Sequence, residues 1–127
     1  MLSEDAGGLA MVVVSGPGAS ERAVFGLASA LAAAVSGVDV QVILSAEGTH
    51  WCVPGSGEVA EVPDFPSVEE LLEELKLLGV AVEACAESID HYVPRGRDGE
   101  PRVRPWIRRV EREALLERIL LLRAVLC

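Results

Sequence analysis

Gly79-Val80-Ala81-Val82-Glu83-Ala84-Cys85-Ala86-Glu87-Ser88-Ile89-Asp90 is the stretch whose reading decides the fold. Gly79 follows a helical pattern and suits the left-handed position that closes many helices. Val80 to Ala84 is a short apolar run of strand length, β-branched at Val80 and Val82. Cys85 falls where that strand ends and a helix begins. In open α/β sheets, ligands and reactive groups gather at the carboxyl edge of the strands. A thiol there faces the free N–H groups of a helix start, whose partial positive charge favours the thiolate. The same residue also reads as a small buried hydrophobe, since free cysteine is among the most buried residue types.

Upstream, Ser67-Val-Glu-Glu70 is a capping box, with Ser67 as N-cap and Glu70 at the third helical position. Val68, Leu71, Leu72, Leu75 and Leu78 form the apolar stripe of the helix that Gly79 closes. Nearer the start, Leu9 to Val14 is a continuous apolar run, consistent with a strand buried on both faces. Ser15-Gly-Pro-Gly-Ala-Ser20 is a tight turn. Ser20 is the expected N-cap of the next helix, and Glu21 suits its positive end. Val24, Leu27, Leu31 and Val35 recur at helical spacing, Gly37 ends that helix, and Val38 to Leu44 gives a second strand. These elements make a β-α-β unit with an expected right-handed crossover. The Gly-Pro-Gly turn lies where backbone N–H groups can bind a phosphate. It matches neither glycine-rich phosphate pattern and has no lysine, so a plain turn is expected and phosphate or nucleotide binding through Ser15 to Ser20 is the alternative.

Residues 45–66 form a long connection that starts at the same carboxyl edge as Cys85 and carries Glu47, His50, Trp51 and Cys52. Long loops inside compact domains are often functional. His50 and Cys52 with Cys85 would be candidates for a metal site, but His-x-Cys is a poor zinc signature, and no metal is expected. Downstream of Cys85, about two helical turns fit before Pro94, and they carry Ser88, Asp90, His91 and Tyr92. Residues 94–101 are polar and glycine-bearing and read as a mobile loop. Arg102 to Val110 alternates apolar and basic residues, and Pro105 points to an edge or bent strand. Glu111 to Leu122 reads as a last helix with Leu115, Ile119 and Leu122 on one face. Ala124 to Cys127 is a final short strand.

The sum is an α/β fold: a three-layer α/β/α sandwich around a mostly parallel five-stranded sheet. Residues 1–8 read as a flexible tail and residues 9–127 as a single domain. A chain of 127 residues is enough for one core and too short for two. Hydrophobic residues make up 50% and aromatics only 4%, so the core is built from Ala, Val, Leu and Ile. The acidic N-terminus lacks the basic start of a signal peptide, and no apolar run is long enough to span a membrane; a soluble cytoplasmic protein without membrane contact is expected. Cys52, Cys85 and Cys127 make an odd, widely spaced set, which is not a disulfide framework. The net charge of −9 argues against direct nucleic-acid binding. Seven of the eleven cations lie between Arg95 and Arg112, while Glu47 to Asp90 holds eleven acids and one cation. Such asymmetry either steers a partner or marks a solvated loop.

The order strand, helix, strand, long loop, helix, then Leu78-Gly79-Val80 leading to Cys85-x-x-Ser88-x-Asp90, resembles the DsrE/DsrF-like sulfur-relay family over residues 9–127. The resemblance to its TusD- and DsrE-type members implies that Cys85 accepts a sulfane sulfur as a persulfide and passes it on. It implies a homo-oligomer, trimer or hexamer, with sulfur donor and acceptor proteins as partners and no cofactor. It assigns nothing to Cys52 or Cys127. Cys52, His50, Ser88, Asp90 and His91 are candidate auxiliary residues, His91 as a proton shuttle if its short helix turns it inward. A non-enzymatic oligomeric binding module on the same fold, with Cys85 structural, is the rival reading.

Overall fold

The computed structural model describes residues 8–58 and 62–127. Residues 1–7 of the expected tail lie outside the described residues. Five strands, β1 (Leu9–Val13), β2 (Val40–Leu44), β3 (Ala81–Cys85), β4 (Arg108–Val110) and β5 (Arg123–Leu126), form one sheet in the order β4-β3-β2-β1-β5. Every pairing is parallel. The helices are α1 (Ser20–Val35), α2 (Val68–Leu77), α3 (Ala86–Tyr92) and α4 (Arg112–Leu121).

Side chains alternate between the faces of a strand, so each strand contributes to two cores. Met11, Val13, Val42, Leu44, Val82 and Ala84 point to the face that α1 and α2 cover. Ala10, Val12, Ile43, Cys85 and Val110 point to the other face, where Leu115 of α4 joins them. The chain lays β1 to β4 in one direction, then returns to the free side of β1. That return spans four strand spacings, roughly 19 Å, and a ten-residue α4 is about 15 Å long. One helix therefore crosses the strands on the second face, where it buries Leu115.

Gly79 closes α2 as expected. Its φ is +77°, a region open to glycine at no steric cost. Its N–H donates to Lys76 O and that of Val80 to Leu75 O, which satisfies two helix-end carbonyls. At the other end both capping-box bonds are present: Ser67 Oγ accepts from Glu70 N–H at 3.2 Å, and Glu70 Oε1 accepts from Ser67 N–H at 2.9 Å. Ser67→Ala is expected to cost about 1 kcal/mol, read as a lower urea midpoint with an unchanged denaturant slope. An unchanged midpoint would mean that packing alone holds this helix end.

Several boundaries differ from expectation. Ser20 is not the N-cap of α1. A 3-10 turn over Pro17–Ala19 starts the winding early, so Ala19 holds the cap position and Ser20 Oγ donates to Pro17 O at 3.0 Å. β2 begins at Val40 because Val38 still closes α1, its N–H donating to Ala33 O. Val35 and Leu78, expected on apolar stripes, are exposed, one at the last residue of α1 and the other at the C-cap of α2. Of the expected strand from Arg102 only Arg108–Val110 pairs, since Arg104 N–H donates to Cys52 O and Ile107 N–H to Arg104 O in a turn. Residues 94–101 close on themselves: Arg95 and Pro101 form an antiparallel bridge, and Gly96 N–H donates to Glu100 O at 2.8 Å.

Candidate functional site

The turns that follow β1, β2 and β3 meet at the carboxyl edge of the sheet. The long connection after β2 begins as a 3-10 helix, Ala46–Cys52. It packs backbone to backbone on the turn after β1, since a Cβ at Gly48 would lie 2.0 Å from Val13 O. Only glycine permits that approach. Ser45 N–H donates to Val13 O, and Trp51 Nε1 donates to Ser15 O at 2.9 Å. Ala46 has φ +51°, a strained value for a residue with a side chain. Its N–H donates to Ser88 Oγ at 2.9 Å, which ties the β2 turn to α3. Ser88 is thus a joining residue, and its hydroxyl is buried.

Cys85 ends β3 and is the N-cap of α3. It pairs in register with Val110 and points to the α4 face. Its exposure is 1%. The thiol donates to Glu87 Oε1 at a long 3.7 Å, and the same oxygen accepts from the backbone N–H of Arg112, the first residue of α4, at 2.9 Å. That N–H, followed by Glu87's own, holds the Glu87 carboxyl below the usual glutamate range. One carboxylate therefore bridges the starts of α3 and α4 directly beside the thiol.

Two residues before Cys85, on the same face, Glu83 is 4% exposed. The Arg118 guanidinium from α4 lies against Glu83 Oε1 as an ion pair without a directed hydrogen bond, and Arg108 Nη1 lies 3.5 Å from Oε2. Arg118 Nη1 also donates to Gln41 Oε1 at 3.3 Å. Sequence reasoning passed over this group. Its signal was present: a lone acid inside a strand-length apolar run needs a cationic partner if it is buried.

The remaining candidates are dispersed. Cys52 is fully buried on the α1–α2 face, opposite Cys85. Burial pushes its thiol up to about 12, against the pull of Arg104 and Arg109. A thiol so protonated is a poor nucleophile near neutral pH. Cys127 is partly exposed, with its sulfur 3.6 Å from Met11 Sδ, and burial pushes its thiol up as well. His50 stands edge-on to Trp51 at 4.8 Å. Asp90 is exposed and 3.8 Å from Arg95. His91 faces outward, edge-on to Tyr92, so the inward turn a proton shuttle requires is absent. Among the described residues, no group of three or more His, Cys, Asp or Glu side chains could hold a metal ion, and no helix is long and apolar enough to cross a membrane.

Three of the seven cations from Arg95 to Arg112 pair with acids of this chain. Arg104 is buried against Glu69, Arg95 pairs with Asp90, and Arg108 pairs with Glu83. Ser15, in the turn considered for phosphate, donates its hydroxyl to Cys127 O, while its carbonyl is taken by Trp51.

Residues 8–93 match the family model described as the DsrE/DsrF-like family. The match covers β1 to α3 and includes Cys85, whereas β4, α4 and β5 lie beyond it. The crystal structure of the ychN protein from E. coli superposes with a TM-score of 0.73 at 18% identity, covering 96% of this chain and 100% of that one. That likeness extends the shared fold through the last helix and strand. No curated protein sequence matches the chain.

Proposed function

The chain belongs to the DsrE/DsrF-like family, and from that premise we propose that it relays sulfur as a persulfide on Cys85. The observation that carries the reading is the contrast among its three thiols. Cys85 alone ends a strand at the carboxyl edge and caps a helix there, while Cys52 is buried on the opposite face with its thiol pushed up to about 12. The chemistry is an exchange of S–S bonds. The Cys85 thiolate attacks the outer sulfur of a donor persulfide, R–S–SH. A new S–S bond forms on Cys85, the donor's bond breaks, and the departing R–S⁻ takes up the proton that Cys85 released. An acceptor thiolate then attacks the outer sulfur of Cys85–S–SH and frees the Cys85 thiolate. Neither step consumes an oxidant or a reductant.

The rival is a binding module in which Cys85 is structural, and the 1% exposure of this residue is what favours it. Sulfur loading separates the two. After treatment with polysulfide, or with a cysteine desulfurase and cysteine, the relay protein carries one extra sulfur on Cys85, removable by dithiothreitol. A binding module carries none.

The relay reading includes sulfur donor and acceptor proteins as partners and a cytoplasmic setting. It also includes a homo-oligomer, trimer or hexamer. β5 supports this: it is an edge strand, all four of its residues are exposed, and Arg123 is its only charge. Unblunted edges of this kind invite pairing with another chain. Light scattering in moderate salt is expected to give a mass of three or six chains, and a monomer at micromolar concentration would refute the assembly.

A further inference from the structure

We propose that α4 is a movable cover over Cys85, latched to the sheet by the Arg118–Glu83 pair, and that sulfur exchange proceeds when the cover lifts. The inference rests on the reading that Cys85 carries sulfur, because exchange requires a reachable thiolate and Cys85 is 1% exposed. On this face Cys85 shares one buried cluster with Val110 and with Leu115 of α4.

α4 is the least firmly packed of the three long helices. α1 buries Ala23, Val24, Gly26, Leu27 and Ala30, and α2 buries Val68, Leu71, Leu72 and Leu75, whereas α4 buries Leu115 alone. Ile119 and Leu122 are only partly covered, and Leu116, Leu120 and Leu121 point away from this chain. Polar contacts do the rest. Arg118 reaches Glu83 and Gln41, and the Arg112 N–H reaches Glu87. With one fully buried apolar side chain, α4 gives up little hydrophobic burial when it lifts. A helix held mainly by polar contacts is a separable element.

The pairing around Glu83 is suited to separation. A buried carboxylate left without a cation is strongly disfavoured, yet Glu83 has two arginines on two different elements. Arg118 rides on α4, and Arg108 sits on β4, opposite Glu83 in the parallel register. When α4 moves, Arg118 leaves with it and Arg108 stays. The charge at Glu83 remains compensated in both positions of the cover, which keeps the open state within reach. The second contact, Glu87 to the Arg112 N–H, lies beside the thiol itself, so opening breaks it and frees the Cys85 sulfur at the same time.

The test uses iodoacetamide on the whole native protein, with Cys85 and Cys52 quantified separately by peptide mapping. Arg118→Gln is expected to raise the Cys85 labelling rate about tenfold or more, as for a local opening made easier, with Cys52 unchanged. Cys52 is the internal reference because α1, α2 and Trp51 bury it on the other face. In wild-type protein, amide exchange in α4 is expected to be faster than in α1 and α2. A Cys85 rate within twofold of wild type overturns the cover, as does α4 exchange no faster than that of α2. If Arg118→Gln speeds both cysteines alike, the variant is unfolding globally, and the wild-type exchange comparison decides. Neither readout requires sulfur. A cover that opens on a Cys85 that never loads leaves the inference standing and removes the relay; a Cys85 that loads with labelling insensitive to Arg118 does the reverse.

Discussion

Replacing Cys85 with serine is expected to abolish sulfur loading completely. An oxygen in place of the thiolate cannot form the S–S bond that holds the cargo, so the loss is total rather than graded. Serine is nearly isosteric, and the group beside the sulfur is suited to it: Glu87 Oε1 already accepts from the Cys85 thiol at 3.7 Å. A hydroxyl that fails to reach that oxygen is a buried donor without a partner, at about 1–3 kcal/mol. The urea midpoint of the variant therefore has to accompany its loading measurement. Cys127→Ser and Cys52→Ser are both expected to load as wild type does. For Cys52 this follows from the faces of the sheet, since Cys52 belongs to the buried cluster on the α1–α2 face and Cys85 to the cluster on the other. Onward transfer to an acceptor thiol is equally independent of Cys52. Wild-type protein that stays unloaded under every donor, while Cys85 reacts with iodoacetamide, would end the relay reading.

The order and type of the elements were legible because local rules agree with the fold. Gly79 needs a positive φ, and it has one. Ser67 and Glu70 spell a capping box, and both of its bonds form. The apolar stretches around Val12, Val42 and Val82 became adjacent parallel strands. What was not legible depends on which strand lies beside which. That Cys85 shares its buried cluster with Leu115 of α4 follows from β5 returning to the far side of β1, and no local pattern in 111–127 encodes that jump. The side of the sheet taken by Cys52 depends on a 3-10 winding in a segment that reads as an open loop. The burial of Glu83 beneath Arg118 joins residues 35 positions apart. Ser20 shows the reverse limit: a good capping residue lost the cap because Pro17 started the turn three residues early.

Arg104→Ala is expected to be the most destabilising single substitution outside the apolar core. Arg104 was read as one cation in a basic alternating stretch, yet it is 7% exposed. Its Nε donates to Trp51 O at 2.9 Å, and its two terminal nitrogens donate to Glu69 Oε2 at 2.8 Å and Oε1 at 2.5 Å. Its backbone N–H donates to Cys52 O at 2.8 Å. One side chain thus joins α2, the end of the 3-10 segment and the turn that leads to β4. Breaking a buried, bidentate pair costs about 3–5 kcal/mol; Glu69, which keeps some contact with water, places this case near the lower end. Arg104→Lys keeps the charge and loses the fork, so it falls between alanine and wild type. The pair also fixes a pH dependence. The hydrogen bond from Arg104 is the main cause holding the Glu69 carboxyl below its ordinary value. A carboxyl depressed in the folded state adds stability that is present above the unfolded value and is lost as pH falls through the folded one. The difference between wild type and Arg104→Ala in urea unfolding, followed by the fluorescence of Trp51 and Trp106 together, should therefore be full at neutral pH and shrink below the ordinary glutamate range. A gap that stays constant into acid would mean that Arg104 acts through packing rather than through its charge.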